Sequence, residues 1–214
     1  MPARIESRLE GDAKALHHPW LEAMVGALDD RLRRRHGVFE YTRNPDCLFR
    51  IQLIAGGADV VLSDGARVRP GDRLVNLHLW NEQFPPFPHG RPTLAWARRV
   101  NRGFEGSLRE LHRYLAERRD LDDVVALCAN MGFGSATRGA QLARYVARFG
   151  FERVAAHDAP TPRRQLHLFG ENILISMIVL ARNGAALRAD TLRRDRMLVF
   201  LSRQGLRRRY GSGA

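Results

Sequence analysis

The stretch VVALCANMGFGSATRGAQLARYVARFGFERVA, residues 124–155, decides the fold class. Val124 to Ala129 is a short, continuous apolar run, the pattern of a strand covered on both faces. Met131 to Gly139 follows with three glycines, Ser135 and Thr137, and reads as a Gly/Ser loop. Gln141 to Phe149 reads as a helix that Gly150 stops, and Phe151 to Ala155 as the next strand. A β-loop-α-β unit of this length predicts parallel strands joined by a right-handed crossover.

Working outward, the first half is richer in turns. Cys47 to Ala55 reads as a strand, Gly56-Gly57 as a turn, Ala58 to Leu62 as a second strand, and Ser63-Asp64-Gly65 and Pro70-Gly71-Asp72 as further turns before a strong strand at Arg73 to Trp80. Pro85, Pro86 and Pro88 remove three backbone donors and mark a rigid loop. A long helix from Pro92 to about Arg119 follows. Its apolar face is Ala97, Val100, Phe104, Leu108, Leu111 and Leu115, and Arg98, Arg102, Arg109 and Arg113 form a stripe on another face. A helix from Pro19 to a basic stop at Arg31–Gly37, an all-apolar helix at 170–182 and a last strand at Met197 to Leu201 complete the pattern. The expectation is a mixed α+β fold. One sheet would hold hairpin strands from the first half and a parallel β-loop-α-β unit from the second, flanked by helices. Residues 1–13 read as a flexible start, 14–206 as a single globular domain and 207–214 as a basic flexible tail.

The chain has 214 residues, 44% hydrophobic and 27% charged, which excludes a collagen-like, low-complexity or wholly disordered polymer. The net charge is +12 and Lys14 is the lone lysine. A GC-rich genome writes arginine for lysine, so the arginine excess alone is no recognition signal. The net charge still favours anionic partners such as a phosphate-bearing small molecule or an anionic lipid. No helix-turn-helix, finger or RNA-binding signature argues for nucleic acid. Cys47 and Cys128 each sit in an apolar run and read as buried thiols, and no paired ligand spacing points to a metal. No cofactor is evident. The N-terminus has no signal-peptide pattern and no apolar run reaches spanning length, which predicts a cytoplasmic protein, at most peripheral to the inner membrane.

Chemistry is most concentrated in Leu74-Val75-Asn76-Leu77-His78-Leu79-Trp80-Asn81-Glu82. On a strand, Val75, Leu77 and Leu79 share one face; Asn76, His78, Trp80 and, if the strand continues, Glu82 share the other. His78 can act as base or acid near neutral pH, with Asn76 or Glu82 orienting it. Trp80 and Asn81 would help line the ligand site. The loop at Gly132, Gly134, Ser135, Thr137 and Arg138 follows a buried strand and opens a helix, where free N–H groups bind anions; Ser135 or Thr137 can equally be the helix N-cap. It lacks the GK[ST] ending of a Walker loop.

Residues Val68-Arg69-Pro70-Gly71-Asp72-Arg73 through Trp80-Asn81-Glu82 resemble the GD turn, apolar strand, Leu-His and Asn of the YkoP-like domain family. The segment 134–152, ending Arg148-Phe149-Gly150-Phe151-Glu152, is similar to that family's later helix. The resemblance implies a bacterial domain sometimes found with polysaccharide deacetylases, and so a tie to envelope glycan or lipid metabolism. The deacetylase Asp/His metal motif is absent, so that activity does not transfer. Two readings follow. One is an acyl or glycosyl transferase, with the donor phosphates on the 132–139 loop and His78 as general base. The other is a non-catalytic basic accessory module that binds an anionic membrane, lipid or protein partner.

Overall fold

The computed structural model describes residues 31, 36–80, 83–86, 88, 93–133, 136–154 and 195–211. In chain order these form β1 (Phe49–Ala55), β2 (Val60–Val61), β3 (Arg67–Val68), β4 (Arg73–Leu79), α1 (Leu94–Glu117), β5 (Val124–Phe133), α2 (Ala136–Ala147), β6 (Glu152–Arg153), β7 (Asp195–Ser202) and α3 (Arg203–Tyr210). Five strands make one mixed sheet in the order β1-β4-β5-β7-β6. β4 and β5 are parallel and joined through α1, while β1–β4, β5–β7 and β6–β7 are antiparallel. The expected mixed α+β architecture is present.

Several details differ from the sequence reading, each for a physical reason. β2 and β3 pair only with each other, in a separate two-stranded ladder. β5 and β6 run in the same direction, but β7 is inserted between them. β7 is apolar on both faces, with Met197, Val199 and Leu201 in one core cluster and Phe200 in another, so it takes an interior position. β6 is two residues long and carries Glu152 and Arg153, which suits an edge. The expected loop at 131–139 shrinks: Met131, Gly132 and Phe133 extend β5, because β7 supplies ladder partners as far as Phe133↔Asp195, and Thr137, Arg138 and Gly139 belong to α2. Arg207 to Tyr210, expected in a flexible tail, are helical. Leu206 and Tyr210 are buried, and the Tyr210 hydroxyl donates to Phe149 O at 3.0 Å, which ties the chain end to the core. The expected helix at 170–182 lies outside the described residues, as does most of the one from Pro19.

α1 forms as its pattern dictates. Thr93 caps it by accepting from Trp96 N at 3.2 Å, and Val100, Phe104, Leu108, Leu111 and Leu115 are its buried stripe. The stripe packs with Val146, Phe149, Leu206 and Tyr210 of the later helices and their ends, against Ile51, Val75, Leu77, Leu127 and Val199 of the sheet. The described helices therefore share one sheet face. Arg98, Arg102, Arg109 and Arg113 are exposed on the far side. Ser107 is the buried polar residue of α1 and is fully engaged. Its hydroxyl donates to Gly103 O at 2.6 Å and accepts from Leu48 N at 2.8 Å, and its carbonyl accepts from the Tyr41 hydroxyl at 2.8 Å. Gly103 permits this approach, since a Cβ there would lie 2.9 Å from Leu48 Cδ1. Gly150 ends α2 at φ +94°, where Phe151 N returns to Val146 O.

On the opposite sheet face the β2–β3 hairpin covers one end. Val60, Leu62 and Val68 pack on Leu74, Ala126, Cys128 and Phe200. Two polar ties hold the hairpin: Glu152 accepts from Ser63 N at 3.0 Å, and the Ser202 hydroxyl donates to Asp64 while accepting from Gly205 N as the N-cap of α3. The Ser202 hydroxyl, then the Ala66 N–H and the charge of Arg208, hold the Asp64 carboxyl below its ordinary value against the opposing effect of burial. A depressed carboxyl stabilises the fold above the unfolded value of about 3.9 and loses that contribution as pH falls through the folded value. Asp64→Asn is therefore expected to lower the melting temperature at neutral pH, with the gap to the unaltered protein closing below about pH 4. Melting curves across pH check this, and a constant gap would contradict it.

Candidate functional site

Beyond the hairpin, that face is built in cross-strand rows. β1 and β4 pair Arg50↔His78, Gln52↔Asn76 and Ile54↔Leu74; β4 and β5 pair Asn76↔Cys128 and Leu74↔Ala126. The row nearest the hairpin, Ile54–Leu74–Ala126, is apolar. The next, Gln52–Asn76–Cys128, and the last, Arg50–His78, are polar apart from the Cys128 thiol. Strand alternation puts all of them opposite Val75 and Leu77, which are buried under the helices. Leu79, read with the core face, is 44% exposed, because β4 ends there.

The polar side chains converge. His78 Nε2 lies 3.0 Å from Gln52 Oε1 and 3.1 Å from Asn76 Nδ2, and Asn76 Nδ2 donates to Gln52 Oε1 at 3.3 Å. The Cys128 thiol points to Asn76 Oδ1 at 3.8 Å. Opposite His78, Arg50 is 6% exposed. Its guanidinium stacks 4.6 Å above the Trp80 ring and meets Glu40 Oε1 at 3.3 Å. A buried cation thus stands beside an imidazole held by two amides.

The sequence-selected residues divide. Asn76 and His78 meet as expected. Trp80 is 7% exposed, its backbone N–H is bonded to Leu48 O and its ring lies under the Arg50 guanidinium, so it is a platform for Arg50 rather than an open ligand wall. The strand ends at Leu79, and Gln83 N and Phe84 N both return to Trp80 O in a turn. Asn81, Glu82, Gly134 and Ser135 lie outside the described residues. Gly132 is a strand residue, and Thr137 and Arg138 are in the first turn of α2. The C-terminal ends of β4 and β5 lie at the same edge of the sheet, as the parallel pairing requires. β5 then runs four residues past its last partner in β4, from Ala129 to Phe133, roughly 13 Å of strand, so the start of α2 stands beyond the level of His78.

Sequence reasoning missed Gln52, Arg50 and the placement of Cys128. Alternation in Arg50-Ile51-Gln52-Leu53 would have grouped the first two; only the register brings them to His78. Burial pushes the Cys128 thiol up to about 12, so it is a protonated donor and not a nucleophile. Cys47 is also free and buried. Native protein is expected to resist a thiol-specific disulfide reagent in mildly alkaline buffer and to release both thiols on denaturation. Rapid labelling of Cys128 in the folded state would contradict this burial. Among the described residues, no three His, Cys, Asp or Glu side chains converge as a metal site would need, and no helix is long and apolar enough to cross a membrane.

A mixed sheet with helices on one face and an amide–imidazole–guanidinium cluster on the other defines a small α+β domain with a polar site on its sheet. A family model described as the YkoP domain matches residues 27–210, and the chain belongs to that family. No curated protein and no solved structure matches the chain.

Proposed function

We propose that the protein is a group-transfer enzyme, with an acyl or glycosyl group as cargo, a phosphate-bearing donor and His78 as general base. The observation that carries this is the pairing of His78 Nε2 with one amide donor and one amide acceptor. With Nε2–H donated to Gln52 Oε1, the ring is held in one neutral tautomer. In the other tautomer Nε2 accepts from Asn76 Nδ2. Each neutral tautomer thus finds an amide partner, and the imidazolium formed on taking up a proton keeps its Nε2–H on Gln52 Oε1. Arg50, ion-paired to Glu40 and stacked on Trp80, stands on the neighbouring strand opposite it. The tie to envelope glycan or lipid metabolism rests on the family resemblance. The test is a thermal-shift screen against acyl-CoAs, nucleotide sugars and anionic lipids. A saturable rise with an acyl-CoA or nucleotide sugar, reduced in Gln52→Leu, supports the reading; no rise with either class overturns it.

A second reading, an accessory module on an anionic partner, is favoured by the exposed stripe Arg98, Arg102, Arg109 and Arg113. Two of these are offset locally, by Glu105 on Arg109 at 3.5 Å and Glu110 on Arg113 at 3.9 Å. Salt-sensitive binding to lipid vesicles without any nucleotide or CoA response would favour the module.

A further inference from the structure

A cavity of about 520 Å3 opens between α1 and α3, lined by His112, Gln204, Arg207, Arg208 and Gly211. Its volume is in the range of small-molecule sites. It lies on the helical side of the sheet and shares no residue with the His78 cluster.

The charges around it are unbalanced. Arg73, Arg109, Arg113, Arg118 and Arg203 each have a carboxylate partner. Arg209 donates to Arg148 O at 2.7 Å. Arg207 and Arg208 have no ion pair among the described residues. The carboxylate that senses Arg208, Asp64, is already engaged by Ser202 and Ala66 N. Arg203 spends its guanidinium on the Leu115 and Leu121 carbonyls and Asp122. Cations in the last turn favour the C-terminal dipole of a helix, and α3 carries three, Arg207, Arg208 and Arg209. His112 completes the lining against the end of α3, where the lack of a side chain at Gly211 leaves it room: a Cβ there would lie 2.8 Å from His112 Nε2.

We propose that this cavity binds a phosphate group, gripped by the guanidiniums of Arg207 and Arg208, with Gln204 and His112 as further donors. A guanidinium matches phosphate oxygens in geometry as well as charge, and both of these line the cavity. The groups facing His112 agree: burial and the positive charges of Arg207 and Arg203 hold its imidazole below the ordinary histidine value, and a phosphate dianion in the cavity would reverse that balance.

The experiment is a titration of the whole chain with inorganic phosphate at constant ionic strength, followed through the His112 ring signals by NMR. The expected result is a saturable shift, with the His112 pKa rising as phosphate fills the site. Arg207→Gln/Arg208→Gln is expected to weaken binding by about tenfold or more, whereas Arg98→Gln/Arg102→Gln, which removes the same charge from the exposed stripe, leaves it unchanged. No saturable shift, or equal weakening by both double variants, overturns the proposal. Glycerol 3-phosphate and vesicles containing phosphatidic acid then separate the sources. Binding of the soluble ester alone assigns a phosphate metabolite, and binding of the vesicles assigns a lipid headgroup. Failure of both overturns the site.

Discussion

Replacing His78 by glutamine is expected to slow the proposed transfer reaction by roughly a hundred- to ten-thousand-fold, the usual contribution of a positioned acid–base group, while the melting temperature stays close to that of the unaltered protein. Glutamine keeps a donor for Gln52 Oε1 and an acceptor for Asn76 Nδ2, so the cross-strand network of Gln52, Asn76 and residue 78 survives. What is lost is a group that can hold a proton and release it. The measurement is turnover with the donor returned by the ligand screen, beside a melting curve. A variant with full turnover would remove His78 from the mechanism. A variant that melts early but turns over normally would assign it a structural role.

The largest expected effect on stability is at Phe104. Its ring meets Phe49 of β1 at 4.6 Å edge-on, Phe149 at 4.5 Å and Tyr145 of α2 at 6.2 Å. It therefore joins the edge strand, α1 and the end of α2 at one point. Phe104→Ala removes the ring and leaves a cavity that three elements must close together, at a cost of about 3–5 kcal/mol. For a chain of this length that lowers the melting temperature by roughly 10 °C. Denaturant unfolding checks it, with the midpoint falling and the slope unchanged. A loss below about 1 kcal/mol would mean that the aromatic cluster repacks freely.

Much of this arrangement is legible in residue order. Alternation in Leu74–Leu79 places Asn76 and His78 opposite Val75 and Leu77, because a strand has a period of two. The spacing of Val100, Phe104, Leu108, Leu111 and Leu115 yields α1 and its buried stripe, because a helix repeats at 3.6 residues. Gly150 stops α2 because a positive φ costs it nothing. Each of these is a local rule acting within one element.

Other features depend on partners distant in sequence. The glycines of 131–134 read as a loop, yet Met131, Gly132 and Phe133 become strand because β7, more than sixty residues later, offers them a ladder. Arg207 to Tyr210 read as tail, yet Tyr210 finds Phe149 O and stays. Gln52 and Arg50 look like the solvent side of an edge strand until the β1–β4 register sets them against Asn76 and His78.

The sequence by itself determined the periodicities, the turns and therefore which side chains share a face, since these follow from backbone geometry and steric preference within a few residues. Only the tertiary structure decided which faces meet, that β7 separates β5 from β6, and that the β1–β4 register brings Gln52 to His78. Strand order and register are chosen by the burial of apolar area and the satisfaction of backbone hydrogen bonds over the whole sheet, and neither quantity belongs to any one segment.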